Sequence, residues 1–186
     1  YNLYAVQGWL FNHEGTRRGE EFVTRKISRG IAEIVKNIEG ERAFNAIELG
    51  NLDALRDWGD SEDFIVSVWL MLNQEEPRDY VIASGETHSI REFVEKGFEV
   101  AGLEGYWSGE GAEEQFIISN YLREESSLKS SVLVSINEKF YRPAEVNSLH
   151  GDYSLAKSQL NWSPQTDFEG LVRKMYETDY RLLEDG

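Results

Sequence analysis

The chain has no cysteine and only three prolines and two methionines in 186 residues; 19 basic side chains stand against 34 acidic ones. Without cysteine there is no disulfide and no thiolate metal ligand. The shortage of Lys and Arg leaves a formal charge of −15. That argues against general nucleic-acid binding, which rests on neutralising phosphates, and against an anionic membrane surface. A small phosphorylated ligand needs only a local basic pocket and stays open. No apolar run reaches membrane-spanning length and nothing resembles a signal peptide, so a cytoplasmic setting is expected. Internal repeats, clear linkers and a Gly-rich strand-to-helix turn of the dinucleotide-binding kind are also missing. The three histidines show no metal-ligand spacing and no Ser–His–Asp pattern.

Hydrophobic residues make up 40% of the chain and five are tryptophan, which argues against disorder and for one packed domain; the helices and short strands along it read like the second half of an α/β protein. Residues 3–11 are nearly all apolar and predict a strand buried inside a parallel sheet. Residues 22–38 predict a helix, with Val23, Ile27, Ile31, Ile34, Val35 and Ile38 at helical spacing and Gly40 as its stop. A short strand and a polar loop are expected over 44–59. A second helix is expected from Asp60, its apolar face made of Phe64, Ile65, Val68, Trp69 and Leu72. Residues 79–85 form a β-rich run closed by Gly85. Ser89 with Glu92 three residues on predicts a capping box for a third helix ending near Gly102. Residues 103–130, rich in Gly, Glu and Ser, read as loop with short elements. Residues 131–136 alternate like a half-buried strand. Helices are expected over 151–162, capped by Asp152, and from Thr166, with Glu169 completing a box and Phe168, Leu171, Val172 and Met175 as its stripe.

Three polar groupings carry possible chemistry. Asn12, His13 and Glu14 follow the first strand, where ligands of open α/β sheets bind. Arg17, Arg18, Arg25 and Lys26 then gather positive charge near a helix N-terminus, a setting suited to phosphate. The same residues also read as a solvated loop offsetting Glu20 and Glu21. Arg56, Asp57 and Trp58 offer a cation and a stacking ring, or else a local Arg56–Asp57 ion pair and a buried indole. Arg142 and Glu145 flank Pro143, as a nucleotide clamp or as a surface ion pair.

Taken in order, these stretches resemble the GDP-mannose 4,6-dehydratase family of extended short-chain dehydrogenases. The resemblance lies in "LFNHEGTRRGEEFVTRKISR", "LGNLDALRDWGDSEDF", "MLNQEEPRDYVIASGETHSIREFVEK", "YRPAEV" and "LNWSP". It implies the C-terminal part of such a protein: late Rossmann strands plus a smaller α/β substrate domain. Residues 1–12 and about 58–85 would belong to the former, about 13–57 and 86–186 to the latter. The implied reaction oxidises GDP-mannose at C4 with bound NADP, eliminates water across C5 and C6, and yields GDP-4-keto-6-deoxymannose, a precursor of GDP-fucose. His13 and Arg18 match family positions for NADP. Asn12, Val23, Lys26, Arg56, Arg142 and Glu145 match positions for GDP-mannose. The family's Gly-rich fingerprint, its catalytic Thr or Ser with Glu, and its Tyr-x-x-x-Lys pair fall before the segment matching Tyr1. The resemblance therefore implies no catalytic residue and no metal in this chain, apolar faces left uncovered when it is isolated, and a homo-oligomer for the complete protein. A non-catalytic sugar-nucleotide binding module, a degenerate homologue and a structural oligomerisation domain are the alternatives. Gly15-Thr16 stand where the family usually has Ser-Pro, so a looser turn is expected before the two arginines.

Overall fold

The computed structural model describes residues 3–122, 131–141 and 146–184. In chain order the elements are β1 (Gly8–Leu10), β2 (Asn12–Glu14), α1 (Val23–Glu39), β3 (Ile47–Leu49), β4 (Leu55–Arg56), β5 (Trp58–Asp60), α2 (Ser61–Leu72), β6 (Tyr80–Ile82), β7 (His88–Ser89), α3 (Ile90–Ala101), β8 (Leu103–Ser108), β9 (Gln115–Tyr121), β10 (Val132–Ile136), β11 (Ser148–Leu149), α4 (Ser154–Leu160) and α5 (Phe168–Leu182).

The main core forms where α1, α3 and α5 pack on one another and on a sheet of order β3-β10-β9-β8. Helix α1 supplies Ile27, Ile31, Ile34, Val35 and Ile38, all buried, at the spacing the sequence predicts. Helix α3 has the expected capping box: the Ser89 hydroxyl accepts from the Glu92 N–H at 3.0 Å, and the Glu92 carboxylate accepts from the Ser89 N–H at 2.6 Å. It ends at Gly102, whose φ of 80° lies in the left-handed region that glycine occupies without strain. A smaller core joins Phe64 and Met71 of α2, Tyr80 and Ile82 of β6, and Ala156, Leu160 and Trp162 in and after α4.

The structure corrects several expectations. Residues 3–11 do not form a buried strand. Only Gly8–Leu10 is strand, paired in parallel with β6, and Leu3 and Trp9 are 79% and 62% exposed, because nothing among the described residues covers them. The polar loop expected before α2 contains β4 and β5. Helix α2 buries Phe64, Ser67 and Met71 and leaves Ile65, Trp69 and Leu72 exposed. Residues 103–121 are a β-hairpin: Leu103 faces the core from β8, and Phe116 and Ile118 from β9. Its pattern is obscured by a register shift at Glu104/Gly105 and by Gly105, which puts no side chain at an inward position. Helix α4 has Tyr153 at the N-cap position with no side-chain cap bond, while the expected Asp152 does cap its first N–H, its carboxylate accepting from the Ser154 N–H at 2.8 Å; the helix ends at Leu160. Helix α5 is capped by Asp167, whose carboxylate accepts from the Gly170 N–H at 2.8 Å; Glu169 instead pairs with Arg173 at 2.9 Å.

Candidate functional site

Strands β3 and β10 run parallel, so the segments that leave them, Gly50-Asn51 and Asn137–Tyr141, emerge on one side of the sheet. The end of β2 and the start of α1 meet them there. Between them lies a cavity of about 540 Å³ lined by Asn12, Glu14, Arg18, Val23, Lys26, Arg56, Lys139 and Tyr141, among others. A second concavity of about 370 Å³ has Leu10, Phe11, Asn12, His13, Arg18 and Leu149 on its walls. Asn12 and Arg18 line both.

Local chemistry makes the larger cavity suited to an anion. The first turn of α1 opens into it with no side-chain cap on its N-terminus and no acidic residue in that turn. Free helix N–H groups and the positive end of the helix dipole favour negative charge. Four cationic side chains (Arg18, Lys26, Arg56 and Lys139) share the cavity with three carboxylates, in a protein that is otherwise strongly acidic. The Lys26 ammonium lies 3.6 Å from the centroid of the Phe140 ring. Burial lowers its pKa from the ordinary lysine value, and Glu48 works the other way. Arg56 donates to the carbonyls of Leu55 at 2.8 Å and Val146 at 2.6 Å. Gly50 lets the 138–141 turn approach: a Cβ there would lie 2.6 Å from the Phe140 carbonyl oxygen.

Of the expected site residues, Asn12, Arg18, Val23, Lys26 and Arg56 come together in the larger cavity, and His13 lies in the smaller concavity. Arg142 and Glu145 lie outside the described residues. Arg25 lines neither concavity. It is buried, it pairs with Asp179 at 2.7 Å and it donates to the Thr16 carbonyl. The Arg56–Asp57 pair does not form, because neighbours on a strand point to opposite faces. Asp57 instead accepts from the Ser84 N–H and hydroxyl, both at 2.7 Å, the Gly85 N–H at 3.0 Å and the Gly151 N–H at 3.1 Å. Trp58 is a core indole, 3% exposed, stacked on Phe168 and edge-on to Phe93, although it reaches the cavity wall. The Gly15-Thr16 turn is closed by the Arg18 N–H on the Gly15 carbonyl at 3.0 Å, with Gly15 itself buried. One literal Tyr-x-x-x-Lys spacing exists, Tyr153 and Lys157, but neither lines the two concavities; Tyr153 packs edge-on against Trp162.

Lys139 and Phe140 were missed as site residues, and Glu14 was singled out at the strand end without a role. Their signal is position, since each follows or ends a strand on the ligand side. Glu14 is 2% exposed, and burial raises its pKa above the usual carboxylate value despite a hydrogen bond from Thr24 and the charge of Arg18. A raised folded-state pKa means the folded chain holds this proton more tightly than the unfolded one. Stability from this group is therefore full below about pH 4.5 and falls as pH rises toward the raised value. Glu14→Gln is expected to flatten that part of the stability–pH curve, measured by thermal melts from pH 4 to pH 7. An unchanged curve would contradict it.

Residues 1–175 match the family model described as GDP-mannose 4,6 dehydratase. The GDP-mannose 4,6 dehydratases of Drosophila melanogaster and Homo sapiens are each 46% identical over 98% of the chain, which covers 43% and 46% of their lengths. That of Vibrio cholerae is 42% identical over 96% of the chain and 47% of its own length. The chain thus spans about half the length of the curated relatives it matches. Among solved structures, RMD from Pseudomonas aeruginosa complexed with NADPH superposes with a TM-score of 0.69 at 18% identity, over 96% of this chain and 48% of that one. A UDP-glucose-4-epimerase from Stenotrophomonas maltophila with bound NAD gives 0.69 at 14%, over 100% and 50%. These likenesses bear out the expected α/β fold of the extended short-chain dehydrogenase kind.

Proposed function

Because this chain belongs to the GDP-mannose 4,6-dehydratase family, we propose that its larger cavity binds GDP-mannose and that the adjoining concavity receives one end of NADP. The observation that carries the reading is the convergence of Asn12, Arg18, Val23, Lys26 and Arg56 on one cavity at the open N-terminus of α1. Lys26 and Arg56 hold the diphosphate, with the first turn of α1 adding backbone donors. Asn12 offers an amide to the sugar, and Val23 supplies an apolar wall. Arg142 joins the diphosphate clamp and Glu145 reads the donor edge of guanine.

The smaller concavity fits part of a dinucleotide. Leu10, Phe11 and Leu149 give apolar walls for a ring, and Arg18 gives a cation for a phosphate. His13 Nδ1 lies 2.9 Å from the Phe11 carbonyl; as the donor there, it leaves Nε2 as an acceptor. When bound, NADP supplies the hydride acceptor for oxidation of the sugar. The complete reaction in this reading converts GDP-mannose to GDP-4-keto-6-deoxymannose and water, in a cytoplasmic, homo-oligomeric protein. Residues 1–12 and about 58–85 act as late Rossmann elements, a division supported by the parallel β1–β6 pair.

This chain holds the binding side of that reaction. Proton transfer needs an acid and a base within hydrogen-bond reach of the reacting groups, and the family's catalytic groups match nothing in this sequence. No turnover is expected from the 186-residue polypeptide alone. Calorimetric titration with GDP-mannose tests the binding claim. Saturable binding is expected, weakened about tenfold by Lys26→Gln, the loss of one charge-assisted contact, with the melting curve unchanged. A wild-type chain that shows no saturable binding sinks the reading, and measurable turnover sinks the division of labour.

A further inference from the structure

Arg18 stands on the ridge between the two concavities and lines both. A long arginine at such a place would ordinarily sample many rotamers and lose side-chain entropy on meeting a ligand. Here two contacts restrain it, and a third fixes the carboxylate it meets. Its Nε lies 3.0 Å from Glu14 Oε2. Its guanidinium carbon sits 3.5 Å from the centroid of the Phe22 ring. The same Glu14 oxygen accepts from the Thr24 hydroxyl at 2.6 Å, in the first turn of α1. Glu14 itself is fixed at the end of β2, in register with Asp60 of β5. The carboxylate therefore ties the sheet edge, the helix start and the arginine together. The contact is an ion pair without hydrogen-bond alignment: the buried Nε has no hydrogen-bond partner, and neither terminal nitrogen of Arg18 hydrogen-bonds to a described residue.

We propose that Glu14 is a positioning residue, holding Arg18 on the ridge so that its terminal nitrogens face anionic groups in either concavity. The proposal rests on the reading of the larger cavity as a GDP-mannose site. A buried carboxylate beside an anion site is otherwise unfavourable, since it would repel the ligand. Its pairing with Arg18 offsets that repulsion and converts the arginine from a mobile charge into a preorganised one. Asp at position 14 would be one methylene shorter and is expected to restore the contact only in part.

Two measurements on the full 186-residue chain decide the matter. The first needs no ligand. The Arg18 Nε–Hε resonance in ¹⁵N-labelled protein is expected to be dispersed and slow to exchange with water in the wild type. In Glu14→Gln it should move to the exchange rate of a free arginine, and in Glu14→Asp it should lie between. An unchanged resonance in Glu14→Gln overturns the proposal. The second is a double-mutant cycle read by GDP-mannose titration. Glu14→Gln and Arg18→Gln are each expected to weaken binding about fivefold, and the double variant no more than Arg18→Gln alone. Additive losses mean that Glu14 does not act through Arg18 and also overturn it. If wild-type chain fails to bind GDP-mannose, the cavity reading falls and the proposal with it, whereas a lone failure of the resonance test leaves that reading standing.

Discussion

Asp57→Ala is expected to cost about 4 kcal/mol of folding stability or more. The carboxylate is fully buried and accepts four hydrogen bonds, three from backbone N–H groups and one from a hydroxyl. Bonds to a charged group contribute about 1.5–3 kcal/mol each, and every buried donor left without a partner costs about 1–3 kcal/mol. Relaxation and water entry reduce the sum, but a loss of about 4 kcal/mol is a large share of the roughly 5–15 kcal/mol that holds a domain together. The effect is also geometric. The bonded groups come from the segment after β6 and from Gly151 after β11, so Asp57 fastens both to the junction between β4, which carries Arg56, and β5, which carries Trp58. Urea unfolding followed by circular dichroism measures the loss. Asp57→Asn, which keeps one acceptor oxygen but no charge, should fall between wild type and alanine. A loss under about 1 kcal/mol for alanine would show that the hub is not what holds these segments.

Arg25→Met is expected to destabilise by about 3–5 kcal/mol, the usual cost of removing one partner from a buried ion pair. Arg25 and Asp179 are 7% and 2% exposed, and their contact joins the first turn of α1 to α5. Burial already raises the Asp179 pKa, while the Ser28 hydroxyl at 2.6 Å and the Arg25 charge lower it. Without Arg25 one of the lowering influences is gone, so the folded-state pKa rises further. For a carboxyl whose folded pKa is raised, the folding penalty is absent below its unfolded value and grows as pH climbs toward the folded one. The deficit of Arg25→Met should therefore shrink in acid and be full near neutrality. The double variant Arg25→Met/Asp179→Leu replaces the pair by apolar side chains and is expected to recover most of the loss. Equal destabilisation at all pH values, or no recovery in the double variant, would contradict this account.

Helices α1 and α3 were legible because their signals are local. Ile27, Ile31, Ile34 and Ile38 repeat within a turn of one another, and the Ser89–Glu92 box closes over three residues. The β8–β9 hairpin was not legible, because its inward positions include Gly105 and its strands slip register, which breaks the alternation that marks a half-buried strand. Helix α2 misled for a different reason. It is apolar over most of its circumference, so periodicity did not say which side meets the core, and only the packing of β6 and α4 selected Phe64 and Met71.

The candidate site divides in the same way. Residue types and order alone marked Asn12, His13, Arg18, Lys26 and Arg56 as candidates and set the family resemblance, since those depend only on the string of side chains. Which charges face a ligand was decided by tertiary structure. Arg25 and Lys26 are neighbours in sequence, but successive residues on a helix point about 100° apart, so one is buried against Asp179 and the other opens into the cavity. Arg56 and Asp57 are neighbours on a strand run, and the two-residue period sends one to the cavity wall and the other inward to four donors. Composition and pattern determine which groups exist and which elements carry them; the side of each element that meets a partner is fixed only when the elements pack.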